Sequence, residues 1–335
     1  MERNIKRSPR GFTLIELLLV IVIIGVLAGL ILAAMNGALS RGNEAAVLVE
    51  INGLNNALES YKNAHIAYPP SMGTVPLSGG SGPIETEDQR EQRFLRHLRK
   101  AFPDYRPADF AQVQEQLRIA TVPDPSDTSS GGFDIETLDA AESLVFFLGG
   151  VPDWNSESKL AGFSANADNP FLHPTIQPQR TSKFYDFDPT RLVDRDNDGW
   201  FEYIPEMASA TGETPPYVYF DWRSYKLGPH YPPLGANALQ TWGMAVPYHG
   251  KPRNPNQPLD ETAPYVNEKG FQIVMSGIDG QYGINDGLLD DPVDPPRFFP
   301  FESTQPSPYT YDFDHDNLSN FVGSKLGEAK AEDAP

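Results

Sequence analysis

The sequence predicts an α+β protein: a long N-terminal helix, membrane-spanning and then amphipathic, packed on a small antiparallel sheet, with a large loop-rich insertion. Three observations predict it. An almost unbroken apolar block covers residues 12–34 and passes into apolar residues at three- and four-residue steps. Two short β-rich stretches, Tyr217-Val218-Tyr219-Phe220 and Phe271-Gln272-Ile273-Val274-Met275-Ser276, come much later. The chain also holds 32 Pro and 28 Gly, a composition of turns and long loops rather than of clean helices.

Charge narrows the partners. The net charge is −19; the first eleven residues carry +3 (Arg3, Lys6, Arg7 and Arg10 against Glu2), so the remainder carries −22. Nucleic-acid binding needs a basic footprint and is excluded. An acidic body suits a soluble surface outside the cytoplasm and offers carboxylates to a divalent cation. With no cysteine, neither a disulfide nor a thiolate metal site exists, so the loops must be pinned by packing or by metal ions. The six histidines show no paired ligand spacing, and no nucleophile elbow or phosphate-binding glycine loop occurs. The residues point to no enzyme.

The elements follow in order. Residues 1–11 form a basic leader. Residues 12–34 make about 34 Å of helix at ~1.5 Å per residue, enough for a hydrocarbon core of ~30 Å. The flanking cations keep the amino end cytoplasmic and send the body across as a single-pass protein. A secretory signal places its small-residue cleavage site after the apolar run; here Gly11 precedes it, so a cut would leave the helix attached. Glu16 is a carboxylate inside that run, which costs roughly 2.5–3.5 kcal/mol on insertion scales and marks a functional position. The alternative is an interfacial Glu reaching the headgroups.

Arg10-Gly11-Phe12-Thr13-Leu14-Ile15-Glu16 resembles the prepilin-type cleavage and methylation motif of type IV pilins and type II secretion pseudopilins. The resemblance implies that a membrane prepilin peptidase cuts between Gly11 and Phe12 and methylates the new amino terminus. Glu16 then becomes an assembly residue. A Glu buried between apolar helices needs a positive partner, and the Phe12 amine of a neighbouring subunit would supply it.

Leu39, Ala46, Val47, Val49, Ile51, Leu54, Leu58 and Tyr61 continue the helix in amphipathic form to about His65, near 80 Å in all at ~1.5 Å per residue. Tyr68-Pro69-Pro70 ends it. The run from Asn56 to Lys62 followed by Tyr68-Pro69 is similar to the end of the long helix in major pseudopilins. The domains are thus a leader (1–11), the long helix (12–68), an inserted helical and loop-rich region (69–215), C-terminal strands with an acidic loop (216–323), and a tail (324–335).

Within the insertion, helices are expected over about 85–102, 107–117 and 136–148, the last stopped by Gly149-Gly150. The first carries Arg90, Arg93, Arg96, Arg99 and Lys100, which read as a solvated face or a contact to the acidic body. Asp194-Arg195-Asp196-Asn197-Asp198-Gly199 reproduces the first half of an EF-hand loop. Its twelfth position is Pro205 rather than Glu, with Glu202 at the ninth. Asp194, Asp196 and Asp198 are therefore a possible second calcium site, or else an acidic turn before a strand over 200–204.

Phe271 to Ser276 followed by Gly277-Ile278-Asp279-Gly280-Gln281 resembles the C-terminal strand and calcium loop of major pseudopilins. That resemblance implies calcium on Asp279, Asp314 and Asp316, with Asp286 as substitute, and 284–313 inserted between the halves of the loop. Uncoordinated acidic loops are the alternative.

The resemblance implies a structural pseudopilin, anchored in the inner membrane with its body in the periplasm. It would join identical and minor pseudopilin subunits in a periplasmic pseudopilus for type II-like secretion, driven by an inner-membrane assembly platform and a cytoplasmic ATPase. Two alternatives stand beside it: a surface type IV or minor pilin for adhesion, and a binding domain or hydrolase that uses the pilin leader only as an anchor.

Overall fold

A computed structural model describes residues 13–72, 86–121, 135, 137–206, 214–227, 242–243, 245–250, 264–277, 279–282 and 316–326; side chains of 31–40, 87 and 119–121 are excepted. The chain divides into two compact units, Met1–Ala45 and Ala46–Pro335. Helix α1 (Leu14–His65) runs from the first into the second.

Over residues 14–30 of the first unit, α1 is apolar on every face apart from Glu16. From Leu14, 81% exposed, to Leu30, 65% exposed, its large side chains stand exposed among the described residues. Among the described residues, no helix is long and apolar enough to cross a membrane.

In the second unit α1 becomes one-sided. Val47, Ile51, Leu54, Leu58 and Tyr61 are buried at three- and four-residue steps. Val49, expected on that stripe, is 72% exposed. Two residues advance a helix by about 200°, which carries Val49 to the opposite face from Val47. The helix stops before the proline pair: Ile66 adopts φ +64°, a left-handed backbone that a helix does not continue.

The segment expected as an insertion folds into the same core. Helices α2 (Glu87–Ala101) and α3 (Phe110–Thr121) place Phe94, Leu98, Val113 and Leu117 beside the α1 stripe. Helix α4 (Ala140–Gly149) is buried along its whole length. It starts later than expected because Asp139 caps it, accepting hydrogen bonds from the amides of Ala141 (2.7 Å) and Glu142 (3.0 Å). It stops at Gly150 (φ +89°), which packs so closely on the Gly162 backbone that any Cβ would collide with it.

A short antiparallel pair, β1 (Leu192–Val193) and β2 (Glu202–Tyr203), brackets the aspartate-rich loop. The main sheet has the order β3 (Val218–Asp221), β4 (Phe271–Met275), β5 (Leu318–Ser319), all antiparallel, with Tyr219 opposite Ile273 and Met275 opposite Leu318. The fold is α+β with small antiparallel sheets.

Loops without disulfides are held by buried polar side chains. Arg180 donates to the carbonyls of Ala161, Gly162 and Leu172. The Gln272 amide on β4 receives the Tyr248 amide and donates to the carbonyls of Tyr248 and Val266. Glu50 on α1 accepts from Arg191, Tyr203 and Tyr217. Such bonds satisfy backbone that packing alone would leave orphaned.

Candidate functional site

Three places carry the residues singled out by the sequence. At the first, Gly11 and Phe12 lie outside the described residues. Glu16 is exposed and folds back on the start of α1: its Oε2 accepts from the Thr13 amide (2.8 Å) and hydroxyl (2.8 Å), and the Thr13 hydroxyl accepts from the Glu16 amide (3.3 Å). Thr13-x-x-Glu16 is thus a capping box. In the single chain the carboxylate meets helix-terminal donors. The Thr13-x-x-Glu16 spacing is itself a local sequence signal for that box.

The second place is the C-terminal loop. Asp279 and Asp316 come together across 37 positions, the Asp279 amide donating to Asp316 Oδ2 at 3.2 Å. Asp286 and Asp314 lie outside the described residues. The Asp316 carboxylate occupies the space above Gly277 that any Cβ would fill, so this glycine is required by close approach. Asn317 Oδ1 accepts from the Gly277 amide (3.0 Å), and Asp279 Oδ1 from the Gln281 amide (2.9 Å). Two oxygens, Asp316 Oδ1 and Gln281 Oε1, are buried with no hydrogen-bond partner. Burial, and then the neighbouring Asp316 charge, push the Asp279 carboxyl up to about 6. Orphaned oxygens beside the Asp279 carboxyl, which resists ionisation, are a donor set fitted to a hard cation. Gln281 lies in the same loop, but only the fold buries its oxygen.

The third place is the loop between β1 and β2. Asn197 (φ +60°) and Gly199 (φ +98°) turn it. Asp194 Oδ2 accepts from the Gly199 amide (3.1 Å), and Asp198 Oδ1 from the Trp200 amide (3.0 Å). Asp196 and Asp198 meet Glu142 from the first turn of α4, one oxygen of each lying within 4.8 Å of the others. That is about twice a calcium–oxygen bond of ~2.4 Å, the spread of oxygens around one ion. Asp194 is not in this trio, although its Oδ1, like Asp198 Oδ2, is buried without a hydrogen-bond partner. Glu202 faces Arg195 instead (3.5 Å). Burial is the main cause that lifts Asp198 to about 6 and raises Glu142 further, the latter also opposed by Asp139. Glu142, more than fifty positions upstream, was invisible to loop-spacing logic.

Comparison with known proteins places these features in a family. The model for the prokaryotic N-terminal methylation motif matches residues 6–32. Type II secretion system core protein G of Klebsiella michiganensis is 39% identical over 95 residues, 28% of this chain and 67% of that protein. This chain belongs to the type II secretion core protein G family, a family of pseudopilins. The core protein G of Vibrio cholerae is 30% identical over 95 residues, 65% of its length. That of Aeromonas hydrophila is 39% identical over 64 residues, so the chain spans 45% of that relative. No solved structure matches.

His97, His173 and His249 of this pseudopilin make contacts within the fold. His97 Nε2 meets the Tyr61 hydroxyl at 2.8 Å inside the core. Burial, and then the Arg223 charge, hold its imidazole well below the ordinary range. His173 Nδ1 bonds the Thr175 hydroxyl (2.8 Å), and His249 stacks on Tyr265.

Proposed function

We propose that this pseudopilin is a structural, non-enzymatic subunit of a periplasmic filament for type II-like secretion. The observation that carries the reading is the methylation-motif match over 6–32, which runs into an apolar helix left exposed among the described residues. An apolar surface of that extent is stable only against lipid or other helices. Before assembly, residues 12–34 sit in the inner membrane with the body in the periplasm. After prepilin peptidase cuts between Gly11 and Phe12, the same segment packs against identical and minor subunits. The assembly platform and its cytoplasmic ATPase drive that transfer.

Glu16 is the register residue. Its capping bonds to Thr13 give way, in a neighbour's company, to the freed amine of Phe12. Replacing Glu16 with Ala is expected to leave cleavage intact and to abolish filament growth, read by processing on a gel and by imaging of sheared filaments. Normal filaments from that variant would remove the register role.

Calcium completes the subunit. Asp279 and Asp316, with Gln281 Oε1 beside them, would hold one ion and pin the C-terminal loop against β4. Glu142, Asp196 and Asp198 would hold a second, tying the β1–β2 loop to α4. In each case the chain's own residues do the positioning, and the ion supplies the positive charge that lets buried carboxylates ionise.

A further inference from the structure

Helix α2 has two faces of different chemistry. Phe94, Leu95, His97, Leu98 and Ala101 are buried. Arg90 is turned inward as well, and Arg93 donates to the Ser71 carbonyl at 2.7 Å. Arg96, Arg99 and Lys100 stand exposed on the outer face, at i, i+3 and i+4, in line with exposed Gln92; Arg106 is exposed just beyond the helix. Among the described residues, no acidic side chain pairs with these cations. Among the described residues, ion pairs go to Lys62, Arg118, Arg191, Arg195 and Arg223 instead.

A helix C-terminus favours cations, which accounts for Arg99 and Lys100 in the last turn. It does not account for Arg96, a turn earlier, or for Arg106 outside the helix. The exposed acids nearby are Asp88 at the opposite end of α2, and Asp104 and Asp109 flanking Arg106. Among the described residues, the face around Arg96, Arg99 and Lys100 is basic.

Copies carrying −22 each repel one another when packed together. A basic face on such a subunit is the complement that offsets this. We propose that the outer face of α2 docks on an acidic surface of a second copy of this chain, an inference that rests on the self-assembly reading above. An anionic bilayer is disfavoured as occupant, because the −22 body would be repelled by the same surface.

The cysteine-free chain allows a direct test in membranes of the producing cell. Gln92→Cys carries a photoreactive benzophenone on the α2 face, and a separate Leu18→Cys chain reports helix packing by disulfide formation. The expected result is a Gln92 adduct at twice the chain mass that maps by mass spectrometry to acidic residues of the second copy. It should fall about tenfold when Arg96, Arg99 and Lys100 are replaced by Glu, as for the loss of several exposed pairs. On the unsubstituted α2 face it should also fall in about 0.5 M salt, where screening acts beyond roughly 4 Å. Leu18 disulfides should persist throughout. If they form while Gln92 adducts are absent, go to lipid, or ignore both charge reversal and salt, the α2 contact is wrong and assembly stands. If neither cross-link forms, the assembly reading itself fails, and this inference with it.

Discussion

Replacing Gly277 by Ala tests the C-terminal loop at its tightest point. A Cβ built on Gly277 falls inside the Asp316 carboxylate, so that carboxylate must leave its place. Its departure breaks the Asp279 amide bond to Asp316 Oδ2, and a hydrogen bond to a charged acceptor contributes about 1.5–3 kcal/mol. A loss of about 2 kcal/mol lowers Tm by roughly 4–8 °C for a body of this size. The larger effect is on calcium. At free calcium about 100-fold above Kd, binding adds ~2.7 kcal/mol to the native state, and a displaced Asp316 forfeits it. The assay is thermal unfolding of the full chain in detergent, with calcium and then with chelator. Gly323→Ala serves as control, since nothing lies within 4 Å of its added methyl. A Gly277→Ala protein that melts like the parent and keeps the full calcium shift would refute the assigned ligand geometry.

Other outcomes follow from the same coordinates. The calcium shift in Tm should be large at pH 7.5 and vanish below about pH 5, because Asp279 and Asp198 titrate near 6 in the folded chain. The sign for the ion-free protein is opposite. Folded pKa values above the unfolded ~3.9 mean the native state binds more protons, so these groups lose stability as pH rises from 4 to 6. Partial exposure discounts each contribution to ~1 kcal/mol; a calcium shift unchanged between pH 5 and 7.5 would contradict the assignment. Glu50→Ala should cost about 3 kcal/mol in a denaturant titration, because it strands a largely buried Arg191 and frees two tyrosine hydroxyls. Burial alone would raise the Glu50 carboxyl, yet bonds from Arg191, Tyr217 and Tyr203 outweigh it and hold it below its ordinary value. That contribution should therefore be lost as pH falls toward and below the folded value. Ile66→Gly should stabilise by up to about 1 kcal/mol, since a β-branched residue at φ +64° is strained and this one, 86% exposed, packs on little; a lower Tm would show that the side chain matters.

Local chemistry was legible along the chain, and long-range placement was not. The β4 stretch and the Gly277-to-Gln281 turn were readable because a run of β-formers and turn glycines act within a few residues. The basic series of α2 read as a solvated face, yet only Arg96, Arg99 and Lys100 stand exposed. Arg90 is buried and Arg93 bonds inward to the Ser71 carbonyl, because a strict three-residue step drifts around a helix of about 3.6 residues per turn. Val49 failed because a list of apolar residues is not a helical face. The start of α4 failed because an Asp139 cap, not the hydrophobic run, decides where the helix can begin.

The sequence by itself determined the amino-terminal device: a basic leader, Gly11 before an apolar helix, and Glu16 four residues past Phe12. Such a device works through local order and hydropathy, and both are written along the chain. Only the tertiary structure decided that Asp316 closes over Gly277, that Glu142 rather than Asp194 joins Asp196 and Asp198, and that Arg96, Arg99 and Lys100 stand exposed and unpaired among the described residues. Those are meetings of residues tens to more than fifty positions apart, or their absence. What brings them about is the burial of one shared aromatic core, which no local pattern records.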